Sequence, residues 1–119
     1  FQGTPPTLGG SSVFTSAPAT LYYLPAFASN WPAVLAGRPT LCWNPTVQRD
    51  AAFGFSSDRF SFTVSGTTNI PVLVQATTNL ASGVWTQLTN TTLGTYGSLY
   101  FTDPSSTNIP ARFYRIVWP

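Results

Sequence analysis

Turn-forming residues recur roughly every 8 to 12 positions along this chain, and no long stretch between them keeps a helical period. The intervals are filled by Val, Ile, Phe, Tyr, Trp and Thr, the side chains that fit a pleated surface. Eleven prolines and nine glycines supply many of the breaks, leaving little room for helices of ordinary length. The pattern predicts an all-β fold: an antiparallel β-sandwich, immunoglobulin-like or jelly-roll-like.

Individual strands follow from the same reading. Residues 59–65, Arg-Phe-Ser-Phe-Thr-Val-Ser, alternate apolar and polar, as on a half-buried strand with Phe60, Phe62 and Val64 on one face. Residues 72–77 carry Val72, Leu73 and Val74 in succession and predict a more deeply buried strand. Further strands are expected over 84–89, 98–102 and 111–117. An internal echo supports the partition: Phe62-Thr63 leads to Asn69-Ile70-Pro71, and Phe101-Thr102 leads to Asn108-Ile109-Pro110, both offset by 39. Two similar hairpin-like units are thus expected to pair as the two sheets.

The first 45 residues differ. They hold seven of the eleven prolines and two of the four tryptophans. Short strands are expected at Ser12–Thr15 and Thr20–Leu24, and one or two helical turns within 26–37, limited by Pro32 and Gly37. The expected organisation is an irregular Pro/Gly-rich N-terminal extension over 1–45 and a sandwich over 46–119.

Charge is the second constraint. Lys, Glu, His and Met are all absent, and the charged residues are Arg38, Arg49, Arg59, Arg112 and Arg115 against Asp50, Asp58 and Asp103. That is 7% of the chain, where soluble domains carry about 25%. Without His, no Ser/His/Asp or Cys/His constellation is possible, and zinc lacks its usual ligand set. Asp103 precedes Pro104 and reads as a turn cap; Asp50 and Asp58 sit beside arginines and read as ion pairs or caps. A calcium site built from one aspartate and carbonyls is the residual metal reading. The arginines are scattered, so no basic stripe for nucleic acid exists, and no apolar run approaches a membrane span. The expectation is a non-catalytic protein without cofactor, nucleic-acid partner or membrane span.

A chain that begins at Phe1 without Met is expected to be a processed product or a piece of a longer one, with a removed secretory signal as the common cause. Cys42 is the single cysteine; it reads as a buried small hydrophobe, with an intermolecular bridge as the alternative.

The phrases Thr20-Leu-Tyr-Tyr-Leu-Pro, Trp31, Gly37-Arg-Pro-Thr and Trp43-Asn-Pro resemble the closing repeat of bacterial secreted leucine-rich-repeat surface proteins. Thr77-Thr78-Asn79-Leu80, Val84-Trp85-Thr86, Phe101-Thr102-Asp103 and Arg112-Phe113-Tyr114-Arg115 resemble their C-terminal β-sandwich domain. The resemblance implies a bacterial cell-surface or extracellular setting and brings no catalytic residues.

Uncharged sheet edges are templates for strand addition. The primary expectation is a self-associating structural subunit of a surface or extracellular filament. Its docking segment is expected to lie in the extension, at Val13, Phe14, Leu21, Tyr22, Tyr23 and Leu24. The alternative is a carbohydrate-binding or adhesion module of a larger secreted protein. Trp31 and Trp43 are its candidate platforms, among rings of suitable type that include Tyr22, Tyr23, Trp85 and Trp118. Asn90-Thr91-Thr92 is a glycosylation sequon. Thirty Ser and Thr hydroxyls add possible O-linked positions, and attached sugar would supply the solubility that charge does not.

Overall fold

The computed structural model describes residues 1–10 and 12–119, Asn108 without its side chain. It is an all-β fold of two compact units, Phe1–Asn44 and Pro45–Pro119, so the division falls one residue before the expected one.

In the first unit, strand β1 is Leu21–Tyr23, β2 is Val34–Leu35 and β3 is Arg38–Cys42. β3 is central, antiparallel to β2 and parallel to β1. A 3₁₀ turn covers Pro25–Asn30, with Pro at its start, where a missing N–H costs nothing. The helical expectation therefore holds only at its beginning. Pro32 blocks continuation, and the chain becomes the β2–β3 hairpin, whose two-residue loop Ala36-Gly37 has φ of 49° and 76°. Residues 12–15 are a turn, not the expected strand: the Thr15 N–H and hydroxyl both donate to the Ser12 carbonyl, at 3.1 and 2.7 Å. A local partner has displaced a ladder partner.

In the second unit, β4 is Thr46–Gln48, β5 Gly54–Ser56, β6 Arg59–Ser65, β7 Pro71–Thr77, β8 Thr86–Thr92, β9 Ser98–Thr102 and β10 Phe113–Val117. One sheet centres on β6, with β9 on one side and β4 and β5 end to end on the other. The second runs β10-β7-β8, with a register shift at Val74/Gln75. All these pairings are antiparallel. Phe62, Val64, Val72, Val74, Ala76 and Phe101 are buried, and the aromatic contacts of Tyr114 with Phe60, Phe62 and Phe101 join strands of the two sheets.

The echo is real in space but arranged otherwise than expected. Each copy places its first strand in one sheet and its second in the other, so neither copy is a sheet by itself. Phe62 and Phe101, equivalent in the echo, lie directly opposite each other in β6 and β9, with centroids 5.1 Å apart. The second strands, β7 and β10, pair with each other in turn. The two copies thus meet across a local twofold relation.

Candidate functional site

The extension residues are largely committed within their own unit. Leu21 is buried, and β1 pairs along its full length with β3. Tyr22 and Tyr23 are half-buried in that strand, as is Leu24 after it, and Val13 is exposed. Phe14 is held through its carbonyl, which accepts from Arg38 Nε at 3.0 Å and Nη2 at 2.5 Å. The six residues form no single docking surface: strand pairing and the Arg38 clamp distribute them through the unit.

Trp31 is not a sugar platform. It is 7% exposed, its Nε1–H donates to the Gly3 carbonyl at 2.8 Å, and its ring is stacked by Tyr23 at 5.3 Å and met by Phe1 at 5.1 Å. A large ring in a small unit is its most economical source of apolar burial. Trp43 is half-buried and continues the β1–β3 pairing, its N–H donating to the Tyr23 carbonyl at 2.8 Å. Cys42 is half-buried, and burial pushes its thiol pKa up, away from thiolate reactivity.

In the second unit the aspartates are used locally. Asp50 Oδ1 accepts from the Ala52 N–H at 2.9 Å, a turn cap. Asp58 sits at φ 63° in the β5–β6 loop. Asp103 has no exposed surface. Its Oδ1 accepts from the Ser105 N–H at 2.9 Å, the turn cap that Asp-Pro suggests. Its Oδ2 accepts from the Tyr114 hydroxyl at 2.7 Å and lies 3.1 Å from Arg112 Nη1. The Arg112 Nε and Nη1 hydrogens find no well-aligned acceptor, so the attraction there is between charges more than along a directed hydrogen bond. Burial and the Asp103 carboxylate together raise the Tyr114 pKa well above the ordinary phenol value, against a smaller opposing effect of Arg112. This cluster joins the β9–β10 connection to β10, and no cluster of metal-ligating side chains occurs among the described residues.

The most distinctive surface is the open side of the sandwich where β5 and β10 are both edge strands. Phe53, Phe55 and Phe60 come from one sheet's side and Phe113 and Tyr114 from the other. Phe60 lies at the centre, with Phe53 at 5.4 Å, Phe55 at 5.3 Å and Tyr114 at 5.1 Å. Phe55 is 70% and Phe113 43% exposed. Two hollows share Phe60, Arg112, Phe113 and Tyr114: one of about 270 Å³ reaches Phe53, the other of about 280 Å³ reaches Phe55. Each is sized for a side chain or two. β5 is not legible in the sequence, because three residues give too short an alternation to detect. The dense spacing of Phe53, Phe55, Phe60 and Phe62 was the available signal.

Asn90 is exposed on β8, an edge strand, so the sequon is sterically accessible. Family models, known proteins and solved structures give no match to this chain.

Proposed function

We propose that this protein is a non-catalytic extracellular structural module that associates with copies of itself through the β5/β10 side of its sandwich. The observation that carries this reading is the meeting of exposed phenylalanines with two open strand edges. A neighbouring strand laid along β10 gains main-chain hydrogen bonds and places alternate side chains toward Phe55 and Phe113. Charges that ordinarily guard such edges are missing from β5, and on β10 the single charge, Arg115, is drawn onto the outer face by Gln75. The resemblance to bacterial surface proteins supports the same setting.

This moves the docking surface from the N-terminal extension to the sandwich edge. The alternative of carbohydrate adhesion loses Trp31, whose ring is internal. The test is sedimentation velocity on the full chain across a concentration series, with Phe55→Lys and Phe113→Lys combined. Both positions are exposed, so folding is preserved. The unmodified chain is expected to sediment as oligomers and the double variant as a monomer. A monomeric unmodified chain at high concentration, or oligomers undiminished in the variant, defeats the reading.

A further inference from the structure

We propose that the outer face of the β10-β7-β8 sheet binds acidic polysaccharide, with a uronate carboxylate as the group it selects. The inference goes beyond self-association: it rests on Arg115, Gln75, Gln87 and Trp85, and the residue the two readings share is Phe113, which lies two positions from Arg115 on the same face of β10.

Strand register places Arg115, Gln75 and Gln87 on one rung that crosses all three strands. The register shift at Val74/Gln75 is what brings Gln87 opposite Gln75. Arg115 Nε donates to Gln75 Oε1 at 2.8 Å, and its guanidinium carbon lies 4.1 Å from the centre of the Trp85 ring. The guanidinium is therefore held on two sides before any ligand arrives. Its Nε is occupied, and the Nη groups remain for a carboxylate, which Arg engages with a planar fork of donors. Arg115 forms no ion pair with a carboxylate of this chain among the described residues, so the charge is not spent internally.

The surroundings favour a sugar over a bare anion. Trp85 is half-buried, which leaves part of the indole as an apolar wall for pyranose C–H groups. Exposed Gln87, and Asn90 on the same face of β8, offer amides that both donate and accept. Hydroxyl-rich ligands need such paired capacity. No Asp or Glu is present on these three strands to repel a polyanion. A neutral polysaccharide would leave the guanidinium fork unused, and a simple anion would leave the indole and amides unused.

Affinity electrophoresis of the full-length protein in gels containing polygalacturonate or dextran tests the proposal. Polygalacturonate is expected to retard the protein and dextran is not. Arg115→Gln and Trp85→Ala are each expected to weaken binding at least tenfold. Arg59→Gln, an exposed arginine on the other sheet, is expected to leave it unchanged. Arg115 is exposed, so its substitution does not put folding at stake. Equal retardation by dextran, no retardation by polygalacturonate, or an Arg59→Gln loss as large as that of Arg115→Gln would each overturn it. So would dissociation of oligomers by Trp85→Ala without loss of polysaccharide binding, which would give the face to a second copy.

Discussion

Asp103 is the residue on which the second unit's interior turns. A carboxylate with no solvent contact is costly unless neutralised and hydrogen-bonded. Here the Ser105 N–H, the Tyr114 hydroxyl and the Arg112 charge share that task. Because the folded pKa of Tyr114 is raised, its contribution to stability is complete below the unfolded phenol value of about 10. Above that pH the unfolded chain loses its phenolic proton first, so stability falls as pH rises. Tyr100, shifted downward by hydrogen bonds from Ser61 and Thr102, acts in the opposite sense, but it lies in solvent, where screening weakens the effect. Urea midpoints measured from pH 7 to above 10 are expected to decline on the alkaline side. In Tyr114→Phe that decline is expected to be smaller, with a loss of about 1–3 kcal/mol at neutral pH from the missing hydrogen bond. An alkaline decline of the same steepness in the variant would refute the assignment.

At the scale of elements, two hairpins share one weakness. Ala36-Gly37 and Ser57-Asp58 are two-residue loops with positive φ at both positions, the type I′ pattern that favours Asn-Gly. Ala36 and Ser57 occupy left-handed backbone without the side-chain compensation Asn provides. Replacing Ser57-Asp58 by Asn-Gly is expected to raise stability by about 1 kcal/mol, read as a higher urea midpoint with an unchanged slope. A lower midpoint would show that the Ser57 and Asp58 side chains have a role of their own. The bond from the Thr107 hydroxyl to residue 58 is to the backbone carbonyl and survives the change.

Elements also show how much of the fold was legible. β6 and β9 coincide with their expected spans because alternation runs unbroken through Phe60, Phe62 and Val64, and through Leu99 and Phe101. β8 begins two residues later than expected and runs to Thr92. The apolar Val84-Trp85 pair suggested a strand start, but Val84 is exposed and Trp85 stands against Arg115 outside the strand. β4 and β5, at three residues each, are too short for alternation to reveal. The candidate site fared less well. Residue type cannot distinguish Trp31, whose Nε1–H points at a carbonyl of its own unit, from a ring in the open. The Phe53–Phe113 cluster depends on β5 and β10 facing each other across the sandwich, a relation between residues 60 apart that no local pattern encodes.

For the whole molecule, the division at residue 44 separates two different kinds of stability. Residues 45–119 own a core in which Phe62, Val64, Ile70, Val72, Val74 and Leu93 are almost wholly buried. Domains of such size fold alone when the apolar core is sufficient. The 45–119 fragment is expected to unfold in urea as one cooperative transition. A broad, non-cooperative transition would mean that the core requires the preceding residues. The same fragment retains the β5/β10 side and the Arg115 rung, so both interactions proposed above are expected to be carried by it.

A nascent polypeptide meets the Asp103 arrangement in an instructive order. The carboxylate leaves the ribosome before either the guanidinium or the phenol that will neutralise it, and these arrive only with Arg112 and with Tyr114 of β10. Until then, closing the interior means entombing a bare negative charge. Arg112 and Tyr114, which bring the guanidinium and the phenol, therefore serve as the latch that licenses closure of this interior.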